Sequence, residues 1–249
     1  MQSTINNHMV PWLLGALALN GSAALAQHEG DIGVGRSGAG QLKYKPFDPN
    51  GTPCFDPAFG VGVLTFYAGS NSWRTDNPGF DANFAADPPH DYYPLSSGAS
   101  IRLVAHEDMT PAFYVKYQSQ YIYDAGDYIA LGSSLLHRHV IFSVDCNSPA
   151  YDPLRTLWWG SFVLRDVGST HYADSEPFLI RQCILHSDDY TLADINDDGI
   201  VNFDDIDPFI AVLTDPGAAT VQQRVAADVD RDGYVTFDDI DPFVGLLSR

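Results

Sequence analysis

The sequence predicts a mainly β protein: an antiparallel β-sandwich or jelly roll followed by a small α-helical module built on two acidic loops. Three observations carry this. Apolar segments rich in β-branched and aromatic residues, separated by turn clusters, run from about residue 61 to 185. A shift of 34 residues lays the C-terminal tail on itself, one acidic loop upon the other. A short apolar run ending in a small-x-small triplet opens the chain, a pattern of exported proteins.

The opening segment is read as a signal peptide over residues 1–26. Residues 10–19 form an apolar run too short to span a bilayer. Ala24-Leu25-Ala26 fits the cleavage rule and places the mature start at Gln27. The run lacks a preceding Lys or Arg; only His8 stands before it. No later stretch is long enough to anchor the chain in a membrane, so a secreted or extracytoplasmic location is expected. Export permits disulfides. Of Cys54, Cys146 and Cys183 at least one must remain unpaired, and the spacing selects no pair.

Residues 27–186 form the expected β domain. Strands are predicted at 61–67, 101–105, 113–123, 139–144, 157–164 and 177–185, with turns at Asp87-Pro-Pro-His and Asn147-Ser-Pro. None of these stretches has the 3.6-residue apolar period of a helix. Strands with such punctuation indicate an antiparallel two-layer architecture. Residues 187–193 read as a linker, and 194–249 as the repeat.

The net charge of −19 is concentrated at the C-terminus. Residues 188–249 hold 15 Asp, no Glu and three Arg. Such a surface repels nucleic acid and anionic membranes and attracts cations. The spacing of the acids names the cation class. Calcium takes six to eight oxygens, and a twelve-residue loop supplies them from positions 1, 3, 5, 7, 9 and 12. In the first loop these are Asp194, Asn196, Asp198, the carbonyl of Ile200, Asn202 and Asp205. In the second they are Asp228, Asp230, Asp232, the carbonyl of Tyr234, Thr236 and Asp239. Position 6, which must turn with positive φ, is Gly199 and Gly233. Each loop leads into a stretch with helical apolar spacing: Ile206, Phe209, Ile210 and Leu213, then Ile240, Phe243, Val244 and Leu247. Residues 218–227 read as a connecting helix. Two bound Ca2+ ions are expected.

This segment resembles a type I dockerin. Asp rather than Glu stands at position 12, and the residues before the first loop carry no helical pattern. The resemblance implies a paired EF-hand-type calcium module that docks the chain onto a cohesin-like or cell-envelope protein. Dockerins of this type often carry small hydroxyl residues at loop positions 10 and 11. This chain has Phe203-Asp204 and Phe237-Asp238 there, and neither position is a calcium ligand.

Chemistry in the β domain is sparser. No nucleophile elbow, phosphate loop or zinc-protease motif occurs, and Glu29, Glu107 and Glu176 are the only glutamates. An enzyme is therefore not the favoured reading. His137-Arg138-His139 places two imidazoles on one side of a strand, a start for a Zn2+ or Cu2+ site. The third ligand is sought among His28, Asp31, His106 and His171, with His28 first. A cupin centre is not supported, because Phe142 and Ser143 stand where its Glu would be. The motifs His28-Glu-Gly-Asp-Ile32, Asn77-Pro-Gly-Phe80, His137-Arg-His139 and Ser175-Glu-Pro-Phe178 occur in an order that resembles exported, zinc-regulated, PEP-CTERM-associated bacterial proteins. The alternative expectation is a carbohydrate-active enzyme or carbohydrate-binding module carried on a dockerin, with Trp73, Trp158 or Trp159 stacking on sugar.

Overall fold

The computed structural model describes residues 31–45, 62–185 and 190–247. The chain is mainly β, with several antiparallel sheets and a small helical C-terminal part. The segment read as a signal peptide, His28, Cys54 and residues 187–189 of the expected linker lie outside the described residues.

Fourteen strands are described: β1 (Ile32–Arg36), β2 (Leu42–Lys45), β3 (Gly62–Val63), β4 (Thr65–Tyr67), β5 (Ser72–Thr75), β6 (Phe80–Asp81), β7 (Ser100–Ala105), β8 (Phe113–Tyr117), β9 (Gln120–Ile122), β10 (Tyr128–Ser133), β11 (His137–Arg138), β12 (Ile141–Asp145), β13 (Leu157–Asp166) and β14 (Phe178–Cys183). They form three sheets, ordered β11-β6-β1-β2, β10-β7-β13-β14-β3 and β4-β5-β12-β8-β9. Pairing is antiparallel except for β1 with β6 and β14 with β3.

Every predicted strand segment contains a strand, with local differences. Residues 61–67 hold two short strands that join different sheets, β3 and β4, broken at Leu64. Residues 113–123 fold back as the β8–β9 hairpin, because Gln118 at the turn takes a positive φ of 52°. The long strand β13 alternates little: its burial is nearly continuous from Leu157 to Leu164. It lies between β7 and β14, and buried residues lie on both of its faces from Leu157 to Leu164.

One core joins these strands. Phe80, Phe142, Trp158 and Phe162 are its largest fully buried side chains. Burying each contributes roughly 1.5–3 kcal/mol relative to exposure. Cys146 is half-buried and Cys183 buried, and neither forms a disulfide with another described residue.

The C-terminal part contains α1 (Ile206–Thr214), α2 (Val221–Ala227) and α3 (Ile240–Leu247). α2 occupies the predicted connector. α1 and α3 each continue from a 3-10 turn, Phe203–Asp205 and Phe237–Asp239. The two halves meet where the Phe209 and Phe243 rings stack, with centroids 4.2 Å apart and planes at 9°. Ile195, Val212, Ala226 and Ala227 close the same small core. Ile210 and Val244, expected on the inward face, are instead exposed, and Val212 takes the buried place on α1. No described helix is long and apolar enough to cross a membrane.

This part packs on the β sheets. Val225 of α2 joins Leu157 and Cys183 in a buried cluster flanked by Trp159 and Tyr190. The Arg155 guanidinium lies over the rings of both Trp159 and Tyr234, 5.1 and 4.4 Å from their centroids.

Candidate metal sites

The two acidic loops have nearly the same hydrogen-bonded geometry. In the first, Asp194 at position 1 accepts the amide N–H of Asp198 through Oδ1 (3.1 Å) and that of Gly199 through Oδ2 (2.9 Å). In the second, Asp228 Oδ2 accepts the Gly233 amide at 3.1 Å. At position 5, Asp198 and Asp232 each accept the amide of position 7 at 2.9 Å. At position 12, Asp205 Oδ1 takes the amides of Ile195 and Asn196, and Asp239 Oδ1 those of Val229 and Asp230. Their Oδ2 atoms take the amides of Asn202 and Thr236. A carboxylate oxygen has lone pairs for both an amide and a cation, so these bonds orient the carboxylates and leave them able to meet a cation.

The backbone explains the loop sequences. Positions 4 and 6 are left-handed in both loops: Asp197 at φ 61° and Gly199 at 86°, Arg231 at 60° and Gly233 at 93°. Glycine adopts this conformation without steric cost. At position 9 the side chains of Asn202 and Thr236 cap the following 3-10 turn, accepting from Asp204 and Asp238. Each thereby closes a capping box with the Asp at position 12. Val201 and Val235 at position 8 both pack against the shared small core. Asp228, Asp230 and Asp232 bring carboxylate oxygens within 4.8 Å of one another.

The second loop contacts the β part, with Asp228 and Gly233 buried while Asp230 and Asp232 stay exposed. Thr156 donates its hydroxyl to Asp228 Oδ2 at 2.5 Å and its amide to the Gly233 carbonyl at 2.9 Å. Arg155 donates Nε–H to the Tyr234 hydroxyl at 3.1 Å. Burial pushes the Asp228 carboxyl up to about 7, against the opposing Thr156 bond and aided by the neighbouring acids Asp239, Asp232 and Asp230. Burial likewise raises Asp239 to about 6. One Asp228 oxygen, Oδ1, is buried with no hydrogen-bond partner among the described residues.

The histidine pair is gathered at a different place. β6 lies between β11 and β1, pairing His137 with Asp81 and Phe80 with Ile32. This register brings the end of β11 beside Asp31, the residue before β1. The rings of His137 and His139 are 5.3 Å apart, and both Nε2 atoms face Asp31 Oδ2, at 3.9 and 3.8 Å. Asp31, His137 and His139 form a group whose ligand atoms all lie within 4.8 Å of one another. Of the other third-ligand candidates, His106 and His171 are exposed and do not join it.

Several residues near these sites carried no signal in the sequence. Asp81 and the Asp76 carbonyl contact the outer nitrogens of the two histidines. Thr156 and Arg155 contact the second loop. A cluster of tyrosines on β8 and β9 is a further case: Tyr121 and Tyr123 stack at 5.6 Å and 8°, with Tyr114 5.3 Å from Tyr123. Of the three tryptophans considered for sugar stacking, Trp158 is core, and Trp73 and Trp159 are partly buried. Searches of protein-family models, characterised proteins and solved structures found no match to this chain.

Proposed function

We propose that the C-terminal part is a dockerin-type module that binds two Ca2+ ions and attaches an exported β-sandwich protein to a cohesin-like or cell-envelope partner. The observation that carries this reading is the duplicated loop geometry. In both loops, left-handed turns at positions 4 and 6 fold the backbone so that carboxylates at positions 1, 5 and 12 are held by amides, with further lone pairs available. An acidic surface loop with no ligand has no need of that pattern twice, and oxygen-only donors suit a hard cation. The ligands are those read from the sequence, Asp194 to Asp205 and Asp228 to Asp239.

The docking face follows from exposure. Phe203 and Phe237, at equivalent positions, are 75% and 79% exposed, and Ile210 and Val244 are also exposed. Apolar side chains left uncovered at matching places in both halves suit a partner that reads either half. The test is binding from exported proteins to the immobilised full chain in calcium and in chelator. Retention only in calcium supports the reading, and equal retention in chelator opposes it.

A second reading has its own observation. Tyr114, Tyr121 and Tyr123 form a partly exposed aromatic surface, which suits stacking against a sugar ring and favours the carbohydrate-binding alternative. Slower migration of the chain through polysaccharide-containing native gels, abolished by Tyr121→Ala with Tyr123→Ala, is its expected signature.

A further inference from the structure

We propose that Asp31, His137 and His139 are the three protein ligands of a mononuclear divalent transition-metal centre, zinc in tetrahedral geometry, with the fourth position open to water. The inference stands apart from the calcium module and does not depend on it.

The argument starts at Asp31. Its side chain is fully buried. Oδ1 accepts the Gly79 amide at 3.0 Å, whereas Oδ2 has no hydrogen-bond partner among the described residues. A buried carboxylate oxygen left this way costs stability unless a positive charge meets it. The two atoms facing it are the Nε2 atoms of His137 and His139. At 3.8–3.9 Å they are too far for hydrogen bonds.

The outer ring nitrogens decide what those Nε2 atoms carry. His139 Nδ1 lies 2.9 Å from the Asp76 carbonyl oxygen. A carbonyl only accepts, so Nδ1 bears the proton. His137 Nδ1 lies 3.3 Å from Asp81 Oδ2, and Asp81 is itself held by the Asn83 amide on Oδ1. With a neutral ring in this tautomer, each Nε2 is a lone-pair donor on the side of Asp31 Oδ2. Both nitrogens and Asp31 Oδ2 are of the donor types that hold a transition metal, and all lie within 4.8 Å of one another. An outer carboxylate and an outer carbonyl fixing the tautomer are the usual support of metal-bound histidines.

Spacing and donor type select the ion. Two ligands about 2.0 Å from a tetrahedral ion are about 3.3 Å apart, and about 2.8 Å apart at neighbouring octahedral positions. The observed 3.8–3.9 Å is nearer the tetrahedral value and needs only a small inward movement. Two imidazoles and one carboxylate leave a tetrahedral ion one position short, as in zinc sites that hold a water. The histidine side chains are 29% and 27% exposed, so that position can reach solvent. Gly79 crosses close behind the site. A Cβ there would lie 2.6 Å from Asp31 Oδ1 and 2.8 Å from His139 Nε2, so the approach of this backbone requires glycine.

The test uses the full chain, stripped by chelator, reloaded with calcium and then with zinc, and freed of excess metal. One zinc per chain is expected by elemental analysis. Asp31→Asn, whose amide oxygen can still accept from Gly79, should weaken zinc binding at least tenfold and leave calcium content unchanged. Asp81→Asn should weaken it by about 10–100-fold through His137. Should Asp31→Asn fail to fold, cobalt substitution of the wild-type chain decides: intense tetrahedral visible bands support the centre. Weak octahedral bands, no retained zinc, or equal zinc in wild type and a folded Asp31→Asn variant would overturn it.

Discussion

The Thr156 hydroxyl donates to Oδ2 of Asp228 across 2.5 Å, joining the residue before β13 to position 1 of the second acidic loop. Asp194, the equivalent residue of the first loop, accepts from Asp198 and Gly199 within its own loop. The repeat is therefore symmetric in sequence and asymmetric in setting. Thr156→Val should lower stability in chelator by about 0.5–1.5 kcal/mol, the net worth of one hydrogen bond, since Oδ2 keeps the Gly233 amide. Urea unfolding measures this. Thr214→Val, which removes an exposed hydroxyl bonded to the Ile210 carbonyl, should change stability far less.

Burial of Asp228 and Asp239 makes the metal-free chain sensitive to pH. Their carboxyls sit at about 7 and about 6 in the fold, against about 3.9 in an unfolded chain. A raised carboxyl favours the protonated fold. Its stabilising contribution is present below the unfolded value and is lost as pH rises through about 6–7. Stability in chelator should accordingly fall between pH about 4 and 7. Calcium needs the carboxylates, so its affinity should rise over the same window with release of protons. Calorimetry in buffers of different ionisation enthalpy reads that release; no dependence on buffer at pH about 6 would contradict it.

The stacked phenylalanines hold the helical part together. Phe209→Ala or Phe243→Ala should each cost about 3–5 kcal/mol and unfold this part even in calcium, as measured by loss of helical circular dichroism. Ile210→Ala and Val244→Ala remove exposed side chains and should stay within about 0.5 kcal/mol.

Partner binding should tolerate the loss of one docking face. Phe203→Ala or Phe237→Ala alone should weaken capture of the partner less than the two together, because both rings are exposed at equivalent positions. Pull-down with the full chain compares them. Complete loss from either single change would argue that one face alone is read.

The legibility of these features in the sequence follows chain distance. The proposed calcium ligands of each loop lie within twelve residues of one another, so spacing alone assembles each loop. His137 and His139 are two apart and were visible for the same reason. Asp31 stood among four candidates for their partner, since only the β11-β6-β1 pairing brings it from the far end of the chain. Asp81 and Asp76 had no local signal, and neither did Thr156. Strand prediction failed in the same way: β1 is diluted by Gly33 and Gly35, and β6 is two residues long. Both are set by pairing with neighbours rather than by alternation. The outward position of Ile210 and Val244 was missed because helical spacing alone leaves the rotation of an apolar face open.

Calcium stoichiometry tests the central claim most directly. Native mass spectrometry of the full chain, stripped and then titrated with calcium, should show two ions bound per wild-type chain. Asp194→Ala and Asp228→Ala should each retain one, and the double variant none. A wild-type chain that takes up no calcium, or a double variant that still binds two ions, would contradict the account.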